Sequence, residues 1–185
     1  MSDKTAAPLS PSGSKHPGRP EETTPLSATD AALLRLSFEV ARQARSNGNH
    51  PFGALLVGED GQVLLRAENT VVTERDCTGH AELNLMRQAS QQYDRDFLAT
   101  CTVYASTEPC PMCSAAIFWG NVRRIVFGLG TASLNEMVGD ETEDVFTLPA
   151  REILGRGRKD IEIIGPCMEI EAKEVHRGFW EAFVS

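Results

Sequence analysis

The stretch Thr107-Glu108-Pro109-Cys110-Pro111-Met112-Cys113-Ser114-Ala115-Ala116-Ile117-Phe118-Trp119-Gly120 decides how this chain is read. Pro109 and Pro111 end a loop and the run from Ser114 to Trp119 begins a helix, so Cys110 and Cys113 share one face of a first helical turn. The unpaired N–H groups and positive dipole end of such a turn favour thiolate over thiol, and thiolate is the form that binds a metal. Upstream, His80-Ala81-Glu82 offers a ring nitrogen and, two residues on, a carboxylate. One histidine and two cysteines make three zinc ligands and leave a fourth position for water, the pattern of an open rather than a closed zinc site. Glu82 is then not a ligand but the group placed to take a proton from water and hand it on.

Working outward, the segment reads as part of an alternating α/β chain. Thr102 to Ala105 is a short buried strand that leads into the cysteines, and Arg124 to Gly128 is another, reached through one helix, the crossover that a parallel pair needs. Gly53 to Val57 and Gln62 to Ala67 form a hairpin around Glu59-Asp60-Gly61. A first helix starts at Ser27, with Asp30 three residues on as a weakened capping box; it faces the core through Leu33, Leu34, Ala41 and Ala44 and stops at Asn47-Gly48-Asn49. Thr70 to Gly79 reads as a loop, Ala81 to Ala89 as a helix, Asn135 to Thr147 as an acidic irregular segment and Ile161 to Ile164 as a last strand. Glu169 to Phe183 has helical spacing through Ile170, Val175, Phe179 and Phe183. The order predicts an α/β fold, a three-layer α/β/α sandwich with a mixed five-stranded sheet. The organisation expected is a flexible tail over residues 1–26, rich in proline, serine and threonine, followed by one domain over 27–185.

Composition narrows the function classes. A formal net charge of −8 argues against general affinity for nucleic acid, which needs a basic footprint. No apolar run approaches the roughly 20 residues that cross a bilayer, so no membrane partner is expected. Five cysteines without a signal peptide suggest metal rather than disulfide use, and a cytoplasmic setting. A lone C-x-x-C can also be a redox pair or half of a structural zinc site. The redox reading leaves His80 and Glu82 without a task. The structural reading wants a fourth ligand, for which Cys77 is the candidate; it is read instead as a loop thiol. Cys101 and Cys167 read as small buried residues.

The order H-x-E then P-C-x-x-C is the signature of zinc deaminases. From about Leu33 to Phe183 the chain resembles the cytidine deaminase-like superfamily in its branch of nucleobase and tRNA deaminases. The likeness is carried by Pro51-Phe52-Gly53-Ala54, His80-Ala81-Glu82, Glu108-Pro109-Cys110-Pro111-Met112-Cys113 and Arg124-Ile125-Val126-Phe127-Gly128. It implies Zn2+ on His80, Cys110 and Cys113, Glu82 as the catalytic proton carrier, a homodimer or higher oligomer, and hydrolytic loss of an amino group from an amidine-bearing ring.

Within the branch the segment is most similar to the bacterial guanine deaminases. That resemblance implies substrate contacts at Asn69, Phe52, Trp119 and Glu141, with Asp140 able to exchange roles with Glu141. A carboxylate there would accept from the adjacent N1–H and 2-amino donors of guanine, or of the smaller ring isocytosine. Adenine lacks that pair, and a buried carboxylate left unpaired costs several kcal/mol. Glu136, Asp140, Glu141, Glu143 and Asp144 also fit a solvated acidic loop. The expected function is zinc-dependent hydrolytic deamination of a free nucleobase, guanine or isocytosine. The alternatives are a tRNA adenosine deaminase, a cytosine or cytidine deaminase, and a zinc-stabilised binding fold without catalysis.

Overall fold

In the computed structural model, which describes residues 26–139, 143 and 146–183, the Ser27 hydroxyl accepts from the Asp30 N–H at 3.0 Å and starts helix α1, Ala28–Ser46. Its buried face is Leu33, Leu34, Phe38, Ala41 and Ala44. Strand β1, Gly53–Val57, follows and is buried along its whole length. Gly53 is required where it stands: a Cβ there would lie 2.5 Å from the Ala41 nitrogen, so only glycine lets α1 press this closely on the sheet. Strand β2, Val63–Glu68, completes the hairpin, with Ala54 opposite Ala67.

The remaining elements are α2 (Val71–Glu74), α3 (Ala81–Gln92), α4 (Arg95–Thr100), β3 (Thr102–Thr107), α5 (Pro111–Gly120), β4 (Arg124–Leu129), α6 (Thr131–Val138), α7 (Ala150–Gly155), β5 (Glu162–Ile164), α8 (Glu169–His176) and a 3-10 turn, Trp180–Phe183. The sheet order is β2-β1-β3-β4-β5. β1 runs antiparallel to β2 and β3, while β3, β4 and β5 are parallel to one another, as the crossover through α5 demands. Period-two alternation sends Leu55, Tyr104 and Val126 to a layer with α1 and α8. Leu56, Val103 and Ile125 go to a layer with Leu85 of α3, Ile117 of α5 and Leu154 of α7. The expected three-layer sandwich with a mixed five-stranded sheet is present. No helix among the described residues is long and apolar enough to cross a membrane.

Several expectations change. The Thr70 to Gly79 loop contains α2. Helices α4, α6 and α7 are additional, α4 because the Asp94 carboxylate caps Asp96 and Phe97 at 3.0 and 2.8 Å. Helix α8 stops at His176 instead of running to Phe183: Gly178 takes φ +67°, a left-handed turn that ends the helical path. Ile170, read as a core position, is 83% exposed. The expected tail, and Asp140 and Glu141, lie outside the described residues apart from Leu26.

Candidate active site and metal centre

Two helix starts converge where β3 ends. His80 is the residue before α3 and Cys110 the residue before α5, with Pro111 at the first helical position. The loop is fixed by Ser114, whose hydroxyl donates to the Pro109 carbonyl at 3.0 Å. His80 Nδ1 thereby lies 3.6 Å from the Sγ atoms of both Cys110 and Cys113. A tetrahedral zinc with Zn–S about 2.3 Å and Zn–N about 2.0 Å spaces its nitrogen and sulfur ligands about 3.6 Å apart, so the donor set and its spacing fit that ion. Among the described residues, the group of potential metal donors at this place contains these three and no fourth. Cys77 is exposed.

Electrostatics separate the members of this cluster. The Cys110 sulfur accepts from the Cys113 thiol and faces His80, which pulls its pKa down to about 4 against the cost of burial. Cys113 is pushed up by that same donation and by burial. His80 is raised by its contact with Cys110. Glu82, 6% exposed with its carboxylate 3.5 Å from Cys113 Sγ, is pushed up to about 7, chiefly by burial. A carboxyl poised at that value can both accept and return a proton at neutral pH.

Asn69, 1% exposed, closes β2 and donates its N–H to the Phe52 carbonyl at 3.1 Å. Its Oδ1 accepts from the Val71 N–H at 3.1 Å, which orients the side-chain amide. Phe52 lies against His176, with ring centroids 5.3 Å apart, and 6.0 Å from Trp180. Trp119 is not brought to this cluster: it is 70% exposed at the far end of α5, about 9 Å of helical rise beyond Cys113.

Three positions to which the sequence reading gave no role support the site. Asn84 is buried and donates to the Glu68 carbonyl, the Thr70 hydroxyl and the Gly79 carbonyl, pinning the segment before His80 onto α3. Its signal was a polar residue amid the apolar positions of that helix. Glu108 accepts the N–H of Thr131 on one oxygen and of Ala150 on the other, both at 2.9 Å, tying the starts of α6 and α7 to the cysteine loop. His176 is treated below.

The fold and this ligand set define an open zinc centre of the hydrolytic kind, in which the metal activates water. Residues 27–129 match the cytidine and deoxycytidylate deaminase zinc-binding region, and the chain belongs to that family. It is 41% identical over 160 residues to a probable cytosine deaminase of Schizosaccharomyces pombe, covering 86% of this chain and 97% of that one. It is 39% identical over 77 residues to the guanine deaminase of Bacillus subtilis, covering 42% and 49%. A guanine deaminase structure from Nitrosomonas europaea superimposes with TM-score 0.70 at 22% identity, covering 84% of this chain and 85% of that one, a likeness of fold.

Proposed function

We propose that the chain deaminates a free nucleobase. The observation that carries this reading is the depth and lining of the site. Glu82, Cys113 and Asn69 are 6%, 0% and 1% exposed. The ring cluster of His50, Phe52, His176 and Trp180 lies on the Asn69 side. His50 joins the site electrostatically, its pKa lowered by burial and by the nearby His80. A small planar ring suits such a buried, ring-lined setting, whereas an RNA loop needs a cationic approach. His80, Cys110 and Cys113 would hold zinc, which when bound supplies the Lewis acidity that makes water nucleophilic at neutral pH. Glu82 takes the proton released by water and returns it to the departing amino nitrogen. Asn69 offers an amide to the ring's polar edge, and Phe52 packs on its face.

Cytosine is the first base to test, because the relative matched over nearly its whole length is a probable cytosine deaminase. Guanine is the second reading. It is favoured by Glu141, with Asp140 able to exchange roles with it, since one carboxylate can accept from the N1–H and 2-amino edge that guanine and isocytosine share, and by the likeness to the Bacillus subtilis guanine deaminase. Ammonia release by zinc-loaded protein on cytosine, isocytosine, guanine, adenine and their nucleosides tests both. Turnover of no free base, or salt-sensitive binding and deamination of tRNA alone, would end the proposal.

A homodimer belongs to the same reading. Helix α5 carries no charged residue in ten positions and presents the exposed Trp119 in its last turn, an apolar face suited to a second copy. Light scattering should give twice the chain mass, and Trp119→Lys should lower it.

A further inference from the structure

His176 is a buried imidazole that the chemistry above does not use; it is 1% exposed. It ends α8, whose Ala172 and Val175 pack in the α1 layer. Thr107 is the last residue of β3 and pairs with Leu129, which packs in the same layer as Ala172 and Val175. The histidine meets it there: Thr107 Oγ1 lies 3.3 Å from His176 Nε2, and Trp180 Nε1 lies 3.2 Å from His176 Nδ1. An indole N–H can only donate. His176 Nδ1 therefore accepts, Nε2 carries the ring proton, and that proton is donated to the Thr107 hydroxyl. Burial, with the charge of Arg45, pushes the pKa of His176 down to about 4, so the ring stays neutral at physiological pH. The Phe52 ring lies 5.3 Å from that imidazole, and the Trp180 ring lies nearly parallel to it, with centroids 6.0 Å apart and 13° between the planes.

We propose that His176 is a positioning residue of the deaminase site: as its Nε2–H tautomer it ties the C-terminal turn that carries Trp180 to Thr107, three residues before Cys110, and so holds Phe52 in one orientation. The role given to Phe52 rests on the free-base reading above. Losing two hydrogen bonds at the relay loosens the wall on which the base lies without touching Glu82 or the metal ligands. Binding suffers and the chemical step does not.

The test uses zinc-loaded full-length protein. His176→Phe keeps the ring volume and removes both bonds. KM for the base that the wild type turns over should rise about tenfold, with kcat within about threefold and zinc content unchanged. Thr107→Val should reproduce part of the rise, His176→Gln, which can still donate toward Thr107, should recover part of the loss, and the double variant should be no worse than His176→Phe. In the amide spectrum the two tryptophans give two indole N–H signals. The one lost in Trp180→Phe should exchange slowly with solvent in the wild type and shift in His176→Phe. An unchanged KM in both His176→Phe and Thr107→Val overturns the proposal, as does an equal fall of kcat accompanied by loss of zinc. If the wild type turns over no free base, the substrate reading fails by itself. The relay is then judged on the indole signal, and an unshifted signal in His176→Phe overturns it.

Discussion

The chain gathers two clusters of ionisable side chains at opposite ends of the same parallel strands, and they are built on opposite plans. Where β4 begins, the Asp30 carboxylate accepts from the Tyr104 hydroxyl at 2.6 Å, from the Ser27 hydroxyl at 2.7 Å and from two Arg124 nitrogens at 2.9 and 3.0 Å. Arg124 uses its remaining edge on Glu162 at 2.9 Å. Every charge there has its match within the chain, and the Arg124 guanidinium holds the Asp30 carboxyl well below the usual carboxylate range. Where β3 ends, His80 Nδ1 lies 3.6 Å from both cysteine sulfurs and the Glu82 carboxylate 3.5 Å from Cys113 Sγ, and Glu82 is pushed the other way, up to about 7. A matched cluster stabilises the fold; an unmatched one keeps its bonding capacity for an ion and a substrate.

The hardest blow to that contrast would come from Glu82→Gln. The amide keeps the shape and removes the proton carrier, so kcat for the accepted base should fall by about a thousandfold, within the range that general acid–base catalysis supplies. Zinc content should hold, and the melting temperature should stay level or rise, because an ionisable group leaves an apolar site. Activity that survives the change, in protein that still holds zinc, would remove Glu82 from the catalytic machinery.

Asp30→Ala should do the reverse. It strands Arg124 and the Tyr104 hydroxyl and should cost about 3 kcal/mol in urea unfolding, while kcat per folded molecule stays at the wild-type value. A fall in kcat without a fall in stability would show that the two clusters are coupled.

The two carboxyls should also answer pH with opposite signs in zinc-stripped protein. The folded pKa of Asp30 is depressed, so its contribution is complete above the ordinary carboxylate range and drains away as the pH falls below about 4. The folded pKa of Glu82 is raised to about 7, so its contribution is present below about 4.5 and is lost as the pH rises toward 7. Each slope is bounded at about 1.4 kcal/mol per pH unit. Denaturant midpoints across pH 3 to 8 should therefore show Glu82→Gln gaining on the wild type as the pH rises, and Asp30→Asn losing to it. A parallel shift in either variant would remove that residue from the scheme.

What the sequence revealed and what it hid follow the same division. The zinc triad was legible because coordination chemistry restricts both residue type and spacing. Strands β1 and β3 and helix α1 were legible because burial imposes a period on Leu33, Leu34, Ala41, Leu55 and Val103. The short helices α4, α6 and α7 hold too few residues to show a period, and for α4 only Asp94 as a cap announced it. The early end of α8 had a local signal, His176 in the last turn followed by Gly178, which the apolar spacing of Phe179 and Phe183 outweighed. Trp119, expected at the substrate, lies exposed away from the His80 cluster, and His176 was passed over, for a different reason. Whether an aromatic or an imidazole faces the site depends on how separate layers meet at the strand ends, and no local pattern encodes that.

The smallest expected effect bears most directly on the unmatched character of the zinc cluster. Cys77 lies three residues before His80 and would, as a fourth thiolate, turn an open site into a closed structural one. It is exposed, in the turn where Asp76 accepts from the Thr78 N–H and hydroxyl at 2.8 and 2.7 Å, and it stands outside the His80, Cys110 and Cys113 group. Cys77→Ser should accordingly leave zinc affinity and kcat unchanged and move stability by less than about 0.5 kcal/mol, the usual range for an exposed substitution. Zinc affinity measured by competition with a chelator decides the point. A loss of tenfold or more would mean that the thiol swings in to complete the coordination, that no position is left for water, and that the cluster is as fully matched as the one around Asp30.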